Sequence, residues 1–81
     1  TKIAQKHFGA LTNKTKRKVA KILLILELDP FSQRLNIKKM KSLKDTYRIR
    51  LGDIRIVYIM NSENKILTIA DLDFRGNIYW L

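Results

Sequence analysis

Ala4, Phe8 and Leu11 fall at i, i+4 and i+7, with Lys2 and Lys6 on the other side, a spacing that predicts a short helix over residues 2–11. Thr12 or Asn13 can cap a second helix, in which Val19, Ile22, Leu23 and Leu26 form the apolar stripe until Asp29-Pro30 stops it. Two helices joined by so few residues make a helical hairpin. From Ile37 the period drops to two. Tyr47, Ile49 and Leu51 alternate with Thr46, Arg48 and Arg50, which predicts a strand with one apolar face. Residues 54–60 read as its partner, and only Gly52 and Asp53 lie between them; glycine first in a two-residue loop suits a type II′ hairpin turn. A further strand is expected over 65–72 after the polar turn Asn61-Ser62-Glu63-Asn64, a short last one over 78–81, and an edge over 37–41. The fold class is α+β: an N-terminal helical hairpin packed on a three- to four-stranded antiparallel sheet.

A chain of 81 residues makes one domain spanning 1–81 and buries about 60–65% of the surface it exposes when unfolded. No linker, internal repeat or low-complexity tract divides it. The chain contains no cysteine, so neither a disulfide framework nor a thiolate metal site is expected. Its longest apolar run, residues 22–26, is far short of the ~20 residues that cross a bilayer. With no secretory signal visible either, the expectation is a cytoplasmic protein without cofactor or membrane partner.

Charge changes the picture. Seventeen Lys and Arg against seven Asp and Glu give a net +10, which points to a polyanionic partner. A lysine- and isoleucine-rich composition alone would raise glutamate as well, yet only Glu27 and Glu63 are present. Lys14, Lys16, Arg17, Lys18 and Lys21 crowd the start of the second helix, the end where the helix dipole disfavours cations. A cluster placed against that field suggests RNA, whose phosphates would screen it. Lys38, Lys39, Lys41 and Lys44 carry the basic surface on to the sheet.

The hairpin holds the sharpest feature. If Gly52-Asp53 is the loop, Leu51 faces Ile54, Arg50 faces Arg55, Ile49 faces Ile56 and Arg48 faces Val57. Like charges directly opposed on paired strands are unfavourable by some tenths of a kcal/mol up to about one. A bound phosphate would turn that repulsion into a clamp, because guanidinium groups present paired donors in the plane of its oxygens. The plainer alternative has the arginines lying over a solvated sheet face with Asp45, Asp53 or Asp71 near them.

The pattern Y-R-I-R-x-G-x-x-R-I-V-Y from Tyr47 to Tyr58, followed by a strand and the R-x-x-I-Y of Arg75 to Tyr79, resembles the RelE/ParE superfamily of toxins from type II toxin-antitoxin systems, nearest the RelE branch. The Ala4-Gln5-Lys6-His7-Phe8 helix, the basic second helix ending in Asp-Pro and the Lys39-Met40-Lys41 stretch agree with it. The resemblance implies a first strand just before Thr1, which family members usually carry. It also implies a ribosome-dependent endoribonuclease that cleaves messenger RNA through the RNA's own 2′-hydroxyl, without metal. Arg48, Arg50 and Arg55 then match the cationic positions of the family's strands. Arg75 and Tyr79 match its C-terminal arginine and tyrosine, whose ring can stack on a base.

An antitoxin encoded nearby, in a toxin-antitoxin hetero-oligomer, is the implied protein partner, beside ribosome and messenger RNA. The ParE branch, on the same scaffold, implies inhibition of DNA gyrase instead. Where many members carry a titratable residue just before the C-terminal arginine, this chain has Asp73 and Phe74. Phe74 cannot titrate and a carboxylate at Asp73 repels phosphate, so the third alternative is a member that binds antitoxin or ribosome without cleaving. His7, on the first helix, is not expected in catalysis. Trp80 can stack on RNA, close the core or meet a partner. Asp71 and Asp73, two apart on one strand face, lack a third ligand for a metal.

Overall fold

A computed structural model describes residues 1–74. Its elements are α1 (Lys2–Gly9), α2 (Asn13–Leu28), β1 (Ile37–Lys39), β2 (Thr46–Leu51), β3 (Ile54–Asn61) and β4 (Ile66–Phe74). The four strands form one antiparallel sheet in the order β1-β2-β3-β4, so every strand pairs with its neighbour in sequence. The strand expected over 78–81 lies outside the described residues.

Thr12 caps α2, its side chain accepting from the Thr15 N–H, and Thr1 caps α1 by accepting from the Ala4 N–H. α1 closes at Gly9 rather than at Leu11, because the connection to the α2 cap needs residues 10–12 in a non-helical path. Val19, Ile22 and Leu26 of α2 pack against Ile49, Ile54, Ile56, Tyr58 and Leu72 of the sheet, all nearly inaccessible to water. Burying each such side chain contributes roughly 1.5–3 kcal/mol relative to leaving it exposed. Phe8 and Leu11 close this core from the α1 side.

Tyr58 is completely buried, and its hydroxyl donates to the Pro30 carbonyl at 2.6 Å, tying β3 to the end of α2. Burial, with Tyr47 and Asp29 adding to it, pushes its phenol up to about 12. Tyr47 stacks on Tyr58 with ring centroids 5.4 Å apart, and Phe31 meets the Tyr47 ring edge-on at 5.1 Å.

α1 lies along β4, the strand at one edge of the sheet. Thr1 donates from its N–H to the Ile69 carbonyl and from its hydroxyl to Ala70, and the His7 ring reaches the Leu72 carbonyl. These donors occupy acceptors along the outer edge of β4, which no other described strand pairs.

The apolar face predicted for β2 is only partly realised. Ile49 is buried and Tyr47 packs on the core, but Leu51 stands 47% exposed because it projects past the helices at the hairpin tip. Thr46, expected on the wet face, is buried with its hydroxyl donating to the Lys44 carbonyl. Lys65 precedes β4 in a left-handed turn conformation rather than beginning the strand.

Candidate nucleic-acid interface on the sheet and hairpin

Gly52 has φ +57° while Asp53 is not in the left-handed region, the combination a type II′ turn requires. That turn fixes the register. Leu51 pairs with Ile54, Arg50 with Arg55, Ile49 with Ile56 and Arg48 with Val57, as the sequence predicts. Paired residues of an antiparallel ladder project to the same side. Ile49, Ile56 and Leu72 form one such row and face the helices, so the alternate row of Arg50, Arg55 and Asp73 faces away from them. Two arginines therefore stand side by side on the helix-free face, with a carboxylate on the far side of Arg55.

A second row repeats the pattern. Lys38 of β1 is opposite Arg48, which is opposite Val57. The hairpin reading anticipated Arg50 against Arg55 but not this pair, since only the register of β1 reveals it. Arg50 and Lys38 are exposed, whereas Arg48 and Arg55 are half-buried. Val57 is only 1% exposed, which gives the cationic rows an apolar floor. Arg75 and Tyr79, the remaining predicted catalytic positions, and Trp80 lie outside the described residues.

Of the helical cations, Lys16 is drawn inward, its Nζ 5.7 Å from the centre of the Phe8 ring on α1. Lys14, Arg17, Lys18 and Lys21 are exposed. Lys14 and Lys18, one turn apart, line a cleft of about 650 Å³ whose opposite wall is the hairpin turn, Leu51 to Ile54. Lys39, Lys41 and Lys44 are exposed around β1 and the connection to β2. The nine predicted RNA-binding cations thus do not share one face: Lys38 joins the arginine rows, Lys14 and Lys18 lie behind the hairpin tip, and Lys16 turns to α1.

His7 has a definite partner that sequence spacing could not show. Its Nδ1 lies 2.7 Å from Asp71 Oδ1 and 3.0 Å from the Leu72 carbonyl oxygen. Two acceptors facing one nitrogen require that Nδ1 carry the hydrogen and donate, leaving Nε2 as the nitrogen that titrates. The Asp71 carboxylate, hydrogen-bonded to the ring, holds the His7 pKa above its usual 6.5 against a smaller opposing effect of burial. Asp71 reaches α1 through an irregularity in the β3–β4 ladder: Val57 pairs with Asp71 but Tyr58 pairs with Ile69, so Ala70 is extra. Asp71 therefore serves His7 rather than the arginines. Among the described residues no cluster of three metal-ligating side chains occurs, and no helix is long and apolar enough to cross a membrane.

The same arrangement of helices and sheet occurs in an archaeal RelE–RelB complex from Pyrococcus horikoshii OT3. The match has a TM-score of 0.81 and 30% identity, covering 95% of this chain and 91% of that one. The chain belongs to the RelE-like toxins. Two more distant complexes share the fold. A RelB–RelE antitoxin–toxin complex from Methanococcus jannaschii matches with TM-score 0.81 at 22% identity, over 98% of this chain and 92% of that one. The RelBE2 toxin-antitoxin complex from Mycobacterium tuberculosis matches with TM-score 0.75 at 20% identity, over 93% and 91%. No protein-family model and no curated protein matches the sequence. In this RelE-like toxin the hairpin arginines occupy the sheet face that the two helices leave open.

Proposed function

We propose that this RelE-like toxin inhibits translation as an mRNA interferase, a ribosome-dependent endoribonuclease of the cytoplasm held in check by a RelB-like antitoxin. The observation that carries the reading is the Arg50–Arg55 cross-strand pair on the helix-free face, with Lys38 and Arg48 one row away. Arg50 and Arg55 are like charges directly opposed across the strand pair, and a phosphodiester lying between them would turn that opposition into a clamp.

In the proposed reaction the 2′-oxygen attacks the adjacent phosphorus while the bond from phosphorus to the 5′-oxygen of the next nucleotide breaks. A 2′,3′-cyclic phosphate and a 5′-hydroxyl result, the proton lost from the 2′-hydroxyl being balanced by one gained at the leaving oxygen. Arg50 and Arg55 stabilise the charge that builds on the phosphorane oxygens, an effect for which one well-placed donor is worth about 10²–10³ in rate. Arginine does not donate protons near neutrality, so electrostatics and alignment carry the catalysis. Arg48 and Lys38 hold the neighbouring backbone, and Arg75 and Tyr79 complete the set by family position.

Leu24, Leu28 and Phe31, at i, i+4 and i+7, are exposed on α2 and the turn after it, an apolar stripe suited to cover by the antitoxin. The net charge of +10 favours an acidic partner segment. Mapping messenger RNA 5′ ends in a reconstituted translation reaction, with and without ribosomes, tests the reading. Cuts in register with codons that need ribosomes support it; intact message and normal protein output refute it.

One observation favours a second reading. Asp73 stands directly opposite Arg55 on β4, and a carboxylate there competes with phosphate for the guanidinium. A toxin that binds ribosome and antitoxin without cutting follows if that competition wins. Asp73→Asn would then raise cleavage, and unchanged cleavage would count against it.

A further inference from the structure

The cleft between the start of α2 and the β2–β3 turn has features of a binding site of its own. Lys14 and Lys18 project from successive turns of α2 on one wall, and Leu51, Gly52 and Asp53 form the other. Among the described residues neither lysine forms an ion pair, and Asp53 is the one carboxylate that lines the cleft with them, so two ammonium groups face a single acid there. Lysines at i and i+4 on a helix repel each other, and the first turn of α2 contains no acidic residue to offset them. The wall opposite the lysines offers apolar surface and room: Leu51 is nearly half exposed, and a Cβ added at Gly52 would meet nothing within 4 Å. Room, apolar surface at Leu51 and an excess of ammonium groups together suit a nucleotide unit, with phosphate at the lysines and sugar or base against Leu51.

The position of the cleft gives it meaning. Arg50 and Arg55 flank the same two-residue turn on the face away from the helices, whereas Lys14 and Lys18 flank it on the helix side. The hairpin tip is thus a wedge with cations on both sides. We propose that the Lys14–Lys18 cleft binds the phosphodiester backbone of RNA at a phosphate other than the one held by Arg50 and Arg55, so that the hairpin tip is gripped from both sides. The proposal rests on the RNA-directed reading above and adds to it a second, non-catalytic seat. An acidic protein segment would also answer the charge, and the experiment below separates it from RNA.

The test is the salt dependence of binding by the Lys14→Gln, Lys18→Gln double variant, measured by fluorescence anisotropy on two probes. One probe is a labelled oligouridylate and the other is messenger-programmed ribosomes. Removing two lysines from the first turns of a helix relieves unfavourable charge, so the variant is expected to melt no lower than the parent. Loss of binding would then not reflect loss of fold. If the cleft holds RNA, the slope of log affinity against log salt becomes shallower by about 0.7 for each single-strand phosphate that is no longer neutralised, or about 1.4 for both lysines. KM for cleavage rises while kcat stays within about twofold, the opposite of Arg50→Ala. A shallower slope on both probes assigns the cleft to single-stranded RNA in general, and on ribosomes alone to ribosomal RNA. Parental binding with an unchanged slope on both probes overturns the proposal alone; if antitoxin affinity falls in that variant, the cleft belongs to the acidic partner. A parent protein that binds neither probe overturns both the proposal and the functional reading beneath it.

Discussion

Replacing Tyr58 by Phe should reverse the order of stability between parent and variant as the pH is raised. At neutral pH the parent has the hydrogen bond from the Tyr58 hydroxyl to the Pro30 carbonyl at 2.6 Å, in a site with no solvent access. A net contribution of about 1 kcal/mol is expected from such a bond, so Tyr58→Phe begins less stable by that amount. The phenol, however, is pushed up to about 12 in the fold. An acid whose folded pKa exceeds its unfolded value of about 10 gives stability that is intact below pH 10 and is lost as pH rises through 12. Two pH units correspond to about 2.7 kcal/mol, all of it absent from the variant. The two stability curves should cross a little above pH 10.5, and at pH 12 the variant should be the more stable by more than about 1 kcal/mol. Urea unfolding of both proteins across pH 7–12 measures the difference, in which the titrations of lysines and of the other tyrosines cancel. Parallel curves with no crossing would show that Tyr58 ionises in the folded protein as it does in water, and that its burial is wrongly described.

The same logic applies to His7 with smaller magnitude. Its pKa is raised, so the His7–Asp71 pair contributes fully below about pH 6.5 and fades as pH rises through the higher folded value. With the ring 40% exposed, the contribution stays within the 0–1 kcal/mol of a surface ion pair; a His7 NMR titration midpoint at or below that of a free histidine would refute it. Arg50→Ala should raise stability by some tenths of a kcal/mol, by removing an opposed like charge, while lowering cleavage at least 100-fold. A variant that is both less stable and fully active would dismantle the clamp. Gly52→Ala should cost about 1 kcal/mol and lower Tm by roughly 4–8 °C, since its φ of +57° strains any L-residue although the added carbon has room. An unchanged Tm would mean that the turn is not held in this form.

The hairpin was legible because a two-residue loop with glycine first leaves only one register that buries Ile49 and Ile56 together, and the arginine pair follows from that register. Lys38 against Arg48 was not legible, since β1 joins the sheet through an irregular connection whose length sets no register. Leu51 misled because alternation reports which side a residue faces, not whether a helix extends far enough to cover it. The His7–Asp71 contact spans 64 residues and depends on an extra residue at Ala70, where no glycine or proline marks the bulge. No local pattern encodes such a contact. The cleft at Lys14 and Lys18 required two elements to meet, and only their basic character could be read beforehand.

The seating of α1 along β4 also sets a timetable for synthesis. His7 is followed by its carboxylate partner only 64 residues later. At about 5–20 residues per second, α1 waits some 3 to 13 seconds on the ribosome before the strand it packs on has been made. The β2–β3 hairpin, by contrast, needs nothing but its own turn and closes in about 1–10 μs once it is free. The arginine-bearing ribbon therefore takes shape while the nascent chain is still unsealed. The ribbon is finished at Asn61 and Asp71 follows ten residues later, so its lead over the seating of α1 is only about 0.5–2 seconds.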